Sequence, residues 1–231
     1  MSAWLVRIAE PVPYLISTVA MHRIAELRAA DEIPDTLVLL EHLPVYTAGR
    51  RSDPSHILWA EEKMRDAGAE LHHVDRGGSV TFHGPGQLVG YPILDLGRRP
   101  DLSGHLNRIE EVVIRSGGTV GVTLERDAAQ AGVWSTGAKV CAIGVKLARW
   151  RVTLHGFGLN CNTDMSWFDA IVPCGLADRA VTSLSALAGR EVTIDELATP
   201  VAEHFQEVFG CRLFEAPQEV AEMFTAVAVP G

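Results

Sequence analysis

Short apolar runs along the chain predict the strands of a sheet. Each run has the length of a strand and is bounded by polar, Gly or Pro residues. The last two runs flank the short segment 148–151, which indicates a β-hairpin. The predicted strands are 3–8, 36–41, 70–74, 80–83, 88–94, 139–147 and 152–159.

Apolar residues at helical spacing predict helices between these strands. In the first helix the apolar positions are Leu15, Val19, Ile24 and Leu27, which we expect to face the core. Helices and strands therefore occur in mixed order along the chain. The predicted helices are 15–29, 59–67, 103–116 and one that begins after Thr193.

Polar residues predict where two of these helices begin. Ser103 is the expected N-cap of the third helix, because its hydroxyl is suited to accept from a free backbone N–H. Thr193 and Glu196 form a capping box at the start of the last helix. We expect Pro200 to kink that helix, or to restart it with Thr199 as a new cap.

The element order predicts an α/β or α+β fold, with a mixed β-sheet flanked by helices. A content of 47% hydrophobic and 21% charged residues is ordinary for a globular protein and supports one well-formed core. No linker-like stretch divides the sequence. We therefore expect residues 1–231 to form a single domain.

The sequence indicates a cytoplasmic protein without a membrane-spanning segment. No apolar run reaches the roughly 20 residues needed to cross a bilayer. Arg7 and Glu10 lie where a signal peptide would be apolar. The net charge of −9 argues against nucleic acid as a partner, because phosphate binding needs a basic surface.

The cysteines and histidines do not have the spacing of a metal site. Cys141, Cys161, Cys174 and Cys211 are scattered, without a C-x-x-C pair, so we expect free thiols rather than disulfides or a zinc site. No H-E-x-x-H motif is present. The sequence therefore predicts no metal and no other cofactor.

The segment Arg76–Tyr91, RGGSVTFHGPGQLVGY, has the composition of a substrate-binding loop. Gly77 and Gly78 let the backbone adopt positive φ and let a ligand approach its N–H groups closely. The same glycines and Pro85 would also serve a plain β-hairpin. Because an arginine and a histidine lie in the segment, at Arg76 and His83, we favour the substrate loop.

Lys139 is a candidate for proton transfer. The basic residues are 17 Arg and three Lys, and lysine can release its proton whereas arginine cannot. Alternation along the predicted strand places Lys139 on the same face as Cys141, Ile143 and Val145. A lysine on such a face either reaches solvent from the strand end or pairs with a thiolate.

Cys174 is the favoured nucleophile. It lies between Pro173 and Gly175, in a loop setting that presents a sulfur atom at a cleft. A structural thiol is the alternative reading for any single cysteine. Cys141 is a rival nucleophile, but strand interiors usually bury cysteine as a small hydrophobic residue.

His155, like His83, stands beside a glycine and is a candidate for lining the same cleft.

Four motifs in sequence order resemble the lipoyl(octanoyl) transferase family. The family shares its catalytic-domain fold with lipoate and biotin protein ligases, so the resemblance implies one α/β domain built on a mixed sheet. The motif-bearing core covers about residues 36–190, with EHLPVYTAGR at 41–50 as further support. The motifs are RGGSVTFHGPGQLVGY at 76–91, GAKVCAIGV at 137–145, LHGFGLN at 154–160 and IVPCGL at 171–176.

The resemblance implies transfer of an octanoyl group from octanoyl-acyl carrier protein to a lysine of a lipoyl-carrier domain. Cys174 matches the family's acyl-thioester nucleophile, and Lys139 matches the lysine that activates it. Gly158 departs from the family, which more often has alanine, and we expect it to add room or looseness there. The positions that match the family's acyl-binding segments are Arg76, Gly77, Gly78, Ser79, Val80, Thr81, Phe82, His83, Ala142, Ile143, Gly144, Gly156, Phe157 and Gly158.

The partners implied by the resemblance are octanoyl-acyl carrier protein as donor, and lipoyl domains as acceptors. The acceptors are those of 2-oxoacid dehydrogenase E2 subunits and of the glycine cleavage H protein. Acyl carrier proteins are acidic, so the net charge of −9 requires a local basic rim for docking. Candidates for that rim are Arg50, Arg51, Arg98, Arg99, Lys146, Arg149 and Arg151.

Three alternatives remain open from the sequence. An ATP-dependent lipoate-protein ligase of the same fold would need no nucleophilic cysteine. A non-catalytic relative that only binds lipoyl domains or acyl groups would leave Cys174 and Lys139 without a chemical role. A thioesterase would differ from a transferase only in using water as the acyl acceptor.

Overall fold

The computed structural model describes residues 2–173 and 179–225, which form a mixed α/β fold as predicted. Residues 54–56 and 165–170 form short 3-10 turns. The helices are α1 (Tyr14–Ala29), α2 (Glu61–Asp66), α3 (Leu102–Thr119), α4 (Leu184–Ala188), α5 (Ile194–Phe209) and α6 (Gln218–Thr225). The strands are β1 (Ser2–Arg7), β2 (Asp35–Leu40), β3 (Val45–Ala48), β4 (Glu70–His73), β5 (Val80–His83), β6 (Gln87–Ile93), β7 (Glu125–Arg126), β8 (Val133–Ser135), β9 (Ala138–Ala148), β10 (Val152–Asn160) and β11 (Arg212–Glu215).

The large sheet has the strand order β11-β1-β2-β6-β10-β9-β8-β7. Strand β1 pairs in parallel with β11 and β2, whereas the pairs from β2 through to β7 are antiparallel. Strands β9 and β10 form the predicted hairpin, with Gly158 opposite Ala142 and Gly156 opposite Gly144. The sheet is therefore mixed, and its long hairpin lies between β6 and β8.

The small sheet carries the glycine-rich segment. Its order is β4-β3-β5, with β3 parallel to β4 and antiparallel to β5. Tyr46 and Phe82, neighbours across β3 and β5, are fully buried and pack with Phe168 of the 165–170 turn. This packing fixes the small sheet and positions the segment between β4 and β5.

Helices cover both faces of the large sheet. Leu37 and Leu39 of β2 pack with α3 and α5, while Val38 and Leu40 of the same strand pack with α1. Because successive side chains of a strand point to opposite faces, β2 supplies both cores and all four residues are buried. The result is a three-layer arrangement of helix, sheet and helix.

The apolar stripe predicted for α1 is wrong in its N-terminal half. Leu15 and Val19 are exposed, at 54% and 71%. The buried face includes Tyr14 and Met21 instead, because the helix lies on the sheet through small and aromatic side chains as well as aliphatic ones. Of the predicted stripe, only Ile24 is fully buried.

Two predicted helix boundaries also differ from the structure. The N-cap of α3 is Asp101 rather than Ser103, because the Asp101 carboxylate accepts from the backbone N–H of Gly104 at 2.8 Å. Thr193 caps α5 as predicted, accepting from Glu196 N–H at 3.3 Å. Pro200 lies inside α5, which continues to Phe209 without restarting.

Within residues 2–173 and 179–225, no helix combines the length and apolar character required to cross a bilayer. The cytoplasmic location stays a prediction.

His105 of α3 is buried in an environment that disfavours its charged form. Neither of its ring nitrogens has a hydrogen-bond partner among the described residues. The ring lies edge-on to Phe209, with 5.8 Å between the ring centroids. Burial lowers the pKa of His105 to about 4, and the charge of Arg108 acts in the same direction. Folding therefore keeps this histidine neutral.

We predict that His105→Leu stabilises the protein and weakens its pH dependence. Between about pH 6.5 and 4 the unfolded chain binds a proton at His105 that the folded chain does not, so stability falls as the pH falls. At pH 5.5 this difference lowers the free energy of unfolding by about 1 kcal/mol. Urea unfolding at pH 7.5 and 5.5 should show that the variant lacks this loss. An equal loss in both proteins would contradict the assigned pKa.

Candidate functional site

An elongated cavity of about 470 Å³ lies between the β9–β10 hairpin and the glycine-rich segment 76–83. At about 3.3 Å per residue, the β9 residues from Lys139 to Val145 run along it for about 20 Å. The predicted residues that line it are Arg76, Gly77, Gly78, Ser79, Val80, Thr81, His83, Lys139, Ala142, Ile143, Gly144, Gly156, Phe157 and Gly158. The structure therefore brings together three motifs that are far apart in sequence.

The glycine segment packs directly on β9 through backbone atoms. Gly77 N–H donates to the carbonyl of Val145 at 3.2 Å. A Cβ on Gly144 would lie 2.8 Å from the carbonyl oxygen of Gly77, closer than side chains tolerate. Gly78 has φ of +89°, a conformation that favours glycine. Glycine is thus required at position 144 by the close approach of the backbones, and is favoured at position 78 by the backbone conformation.

Residues 49–51 hold the other side of the glycine segment. Their backbone N–H groups donate to the carbonyls of Arg76, Gly78 and Ser79 at 3.1–3.2 Å. A Cβ on Gly49 would lie 2.6 Å from the Gly78 carbonyl oxygen. The segment is therefore fixed between this loop and β9, and it lines the cavity as an ordered element.

Arg76 is a buried cation at the start of the segment. Its guanidinium donates to the Thr47 carbonyl at 2.6 Å and to the Thr47 hydroxyl at 2.8 Å. It also donates to the carbonyl of Gly77 at 2.9 Å. These bonds join the small sheet to the glycine segment, so Arg76 supports the cavity wall as well as lining it.

Alternation along β5 separates its residues into two sets. Thr81 and His83 line the cavity. Phe82 points the other way, into the core, where its ring stacks on Trp167 with 5.0 Å between centroids. The side chain of Phe82 is therefore absent from the cavity lining, unlike the other residues that match the family's acyl-binding segments.

Gly158 does not leave an empty space, contrary to the expectation of added room. A Cβ at this position would lie 2.6 Å from Gln87 Oε1 and 3.1 Å from His83 Nδ1. Those two atoms are themselves 2.6 Å apart and hydrogen-bonded. The space that an alanine methyl would occupy is filled by the Gln87 carboxamide.

Lys139 lies at one end of the cavity and is 95% buried. Its Nζ donates to the carbonyl of Ala131 at 3.2 Å and lies 4.6 Å from the centroid of the Trp134 ring. Its backbone pairs with residues 180–182, through Ala180 and Thr182. The lysine is thus a fixed basic side chain beside the cavity rather than a surface side chain.

Cys174 lies outside the described residues. Its neighbour Pro173 lines a small adjoining cavity together with Lys139, Thr81 and Phe168. Within the described part of the chain, Cys141 and Cys161 are fully buried, and burial raises the pKa of Cys141 far above its usual range and that of Cys161 to about 12. Neither thiol is suited to form a thiolate, which disfavours Cys141 as the rival nucleophile.

His155 lines the far end of the cavity in an unusual backbone conformation. Its φ is +61°, which is uncommon for a residue with a side chain. Its Nε2 lies 3.0 Å from a carboxylate oxygen of Asp75, which also pairs with Lys146. Burial lowers the pKa of His155 to about 4 despite this carboxylate. His155 is therefore a neutral side chain with an anchored ring.

Asp75 completes this group as a carboxylate. Burial opposes its ionisation, but hydrogen bonds from Lys146 and His155, together with the charge of Lys146, outweigh burial and lower its pKa to about 2. The far end of the cavity thus carries a polar group held by an ion pair.

Several lining residues were not identified from the sequence. Tyr14 and Tyr91 bring hydroxyl groups from α1 and β6, and Leu102 and Leu106 bring apolar side chains from α3. Tyr91 hydroxyl lies 2.6 Å from His42 Nε2. Leu106 is half-buried, and its approach to the cavity depends on the tertiary packing of α3. Also lining the cavity are Arg51, His56, Gln130, Ala131 and Val145.

Among the described residues, no group of three or more His, Cys, Asp or Glu side chains is arranged to hold a metal ion.

Comparison with known proteins relates this chain to lipoyl-group enzymes. The model of the lipoyl protein ligase A/B catalytic domain matches residues 13–206. An octanoyltransferase from Rubrobacter xylanophilus is 47% identical over 199 residues, which cover 86% of this chain and 90% of that protein. An octanoyltransferase from Acidothermus cellulolyticus is 49% identical over 201 residues, which cover 85% and 87%.

Solved structures of ligases have the same fold at low sequence identity. A bi-partite lipoate protein ligase from Thermoplasma acidophilum superposes with a TM-score of 0.73 at 16% identity, covering 97% of this chain and 91% of that one. A biotin protein ligase from Aquifex aeolicus has a TM-score of 0.53 at 14% identity, covering 91% and 70%. These matches show the shared fold alone.

We predict that Gly144→Ala destabilises the protein by about 1–3 kcal/mol, because the added methyl must displace the Gly77 carbonyl. Gly118→Ala is the matched control. Gly118 lies in α3 with no atom within 4 Å of the added Cβ, so this change should be neutral or stabilise by up to about 1 kcal/mol. Urea unfolding compares the two. Equal stabilities would show that the glycine segment does not pack on β9 in solution.

Proposed function

The chain belongs to the family of lipoyl protein ligase A/B catalytic domains, and on this premise we propose how it acts as an octanoyltransferase. The octanoyl donor is octanoyl-acyl carrier protein, and the group passes through a thioester on Cys174. The acceptor is a lysine of a lipoyl domain. ATP is not consumed, because the thioester of the donor already carries the energy for amide formation.

The observation that carries this proposal is the cavity with a buried lysine at one end. Pro173, which precedes Cys174 in the sequence, lines the same small cavity as Lys139, and this supports the proposed pairing of the two residues. None of the cysteines within the described residues lines the main cavity.

The cavity has the lining that an octanoyl chain needs. Leu102, Leu106, Ile143 and Phe157 contribute apolar side chains along its length. Each methylene that is buried contributes about 0.8 kcal/mol to binding. An eight-carbon chain thus gains affinity from this wall, while its thioester end lies near Lys139.

In the first half-reaction, Lys139 as a neutral amine takes the proton of the Cys174 thiol. The sulfur attacks the donor carbonyl carbon, and a new C–S bond forms while the C–S bond to the carrier breaks. The leaving thiolate of the carrier receives the proton from Lys139. The octanoyl group is then held as a thioester on Cys174, and Lys139 is neutral again.

In the second half-reaction, a neutral amine of the acceptor lysine attacks the same carbonyl carbon. The C–N bond forms, the C–S bond breaks, and Lys139 takes a proton from the nitrogen. That proton passes to the Cys174 thiolate. One lysine therefore serves as base and acid in both halves, and the free enzyme is regenerated.

Lipoyl domains are the proposed class of acceptor, including those of 2-oxoacid dehydrogenase E2 subunits and the glycine cleavage H protein. The Thermoplasma ligase of the same fold was solved in a study of its system with an E2 lipoyl domain.

The basic rim proposed for the acidic donor is smaller than the sequence suggested. Lys146 is paired with Asp75, and Arg151 is 3.2 Å from Asp95. Both charges are therefore already compensated within the protein. The exposed candidates that remain are Arg50, Arg51, Arg98, Arg99 and Arg149, of which Arg51 also lines the cavity.

We predict that Cys174→Ser abolishes the covalent acyl-enzyme. The protein is mixed with octanoyl-acyl carrier protein without ATP, and the intact mass is measured, followed by peptide mapping. The wild type should gain one octanoyl group on Cys174. Cys161→Ser is the matched control, because its thiol is buried outside the cavity and the variant should still form the adduct.

Three results would contradict the proposed route. Normal adduct formation by Cys174→Ser would place the nucleophile elsewhere. Activity that appears only with ATP and free octanoate, without an adduct, would assign the protein as a ligase. Formation of the adduct followed by release to water, even with a lipoyl domain present, would indicate a thioesterase.

A further inference from the structure

A chain of buried hydrogen bonds connects the cavity to the strand that carries Lys139. His83 Nδ1 is 2.6 Å from Gln87 Oε1. The Gln87 amide nitrogen donates to the carbonyl of Phe82 at 3.1 Å and to Asn160 Oδ1 at 2.9 Å. Asn160 in turn donates to the carbonyl of Thr182. The backbone N–H of Thr182 donates to the carbonyl of Lys139. All these side chains are buried.

The direction of these bonds fixes the tautomer of His83. A carbonyl oxygen can only accept, so the Gln87 atom that faces Phe82 O must be the amide nitrogen. Gln87 Oε1 is then the acceptor in its contact with His83. His83 Nδ1 must therefore carry the proton of that hydrogen bond. The second ring nitrogen, Nε2, is left with a lone pair.

The Nε2 atom of His83 is open to the cavity. Within the described residues, no group is hydrogen-bonded to it, and it is not enclosed among the buried unpartnered atoms. The groups around the ring are Tyr14, His42, Arg76 and His155. Burial lowers the pKa of His83 to about 3, with the charge of Arg76 acting in the same direction. The ring therefore accepts hydrogen bonds but does not store a proton near neutral pH.

The Gln87 carboxamide is accommodated because residue 158 is glycine. A Cβ on residue 158 would lie only 2.6 Å from the Gln87 oxygen. Gly158 and Thr81 line the small cavity that Lys139 and Pro173 share. His83 is thus next to the residues that surround the reacting end of the cavity.

We propose that Gln87 is a positioning residue, which holds His83 so that its Nε2 accepts a hydrogen bond from the amine of the incoming lysine. This inference rests on the proposed function and deepens it. An octanoyl thioester has no N–H or O–H to donate, whereas the lysine amine has two. When the amine attacks, one of its protons passes to Lys139 and the other stays in the hydrogen bond to His83.

Gln87→Glu tests the role in catalysis. The carboxylate still accepts from His83 Nδ1 but cannot donate to Phe82 O or Asn160 Oδ1, and its charge raises the pKa of His83. We expect transfer from preformed octanoyl-enzyme to a lipoyl domain to slow by about tenfold at pH 7, with acyl-enzyme formation nearly unchanged. The loss should deepen as the pH falls, because a protonated His83 cannot accept. Gln218→Glu, on the exposed face of α6, controls for the added charge.

The tautomer itself is measured on the wild type, with ¹⁵N-labelled histidine and NMR between pH 5 and 9. We expect Nδ1 protonated, Nε2 unprotonated, and no titration of His83. A protonated Nε2 would overturn the inference, whatever the fate of the variant. So would a Gln87→Glu variant that slows acyl-enzyme formation as much as transfer. Failure of the proposed function is distinct, since the wild type would then form no adduct on Cys174.

Discussion

The structure depends on close backbone contact between the glycine segment and the β9–β10 hairpin. This contact is available only where side chains are missing. Gly77 bonds Val145 across the contact, and a Cβ on Gly144 would meet the Gly77 carbonyl at 2.8 Å. Within the hairpin's own sheet, a Cβ on Gly156 would lie 2.1 Å from the carbonyl of Gly90. The cavity exists because these strands and the segment approach to backbone distance.

Such a packed site determines the charge state of its polar groups. Burial lowers the pKa values of His42, His83 and His155 to between about 3 and 4, so all three are neutral at physiological pH. Lys139 and Arg76 are then the basic side chains buried along the cavity. In the proposed mechanism, protons are therefore exchanged at one lysine rather than through a histidine base.

Local apolar patterns and turn residues predicted the strands β1, β2, β4, β5, β6, β9 and β10 and the helices α1, α2, α3 and α5. The short elements β3, β7, β8, β11, α4 and α6 were not predicted. The family's motifs indicated several of the segments that line the cavity, while the binding role of their residues stays a prediction. What failed depends on tertiary contacts. Leu15 and Val19 have helical spacing but face solvent, since Tyr14 and Met21 take the buried positions. Alternation along β5 predicts that Phe82 and His83 point to opposite faces of the strand. Only the packing of the small sheet shows which of these faces borders the cavity.

The hydrogen-bonded chain from His83 to Thr182 was not readable from the sequence either. Its members are separated by up to 73 positions at one bond, between Gln87 and Asn160. Gln87 and Asn160 meet because β6 and β10 are neighbours in the sheet and these two residues pair across them. Long-range partners of this type become evident only when the strand order is known.

The most direct test of this account is a crystal structure of the enzyme with an octanoyl group trapped on it. A second cavity of about 470 Å³, lined by Arg7, Glu41 and Asp195, provides a competing location. The account predicts electron density for the acyl chain along Ile143 and Phe157, beneath the glycine segment. Density for the chain in the second cavity, or on the protein surface, would contradict it.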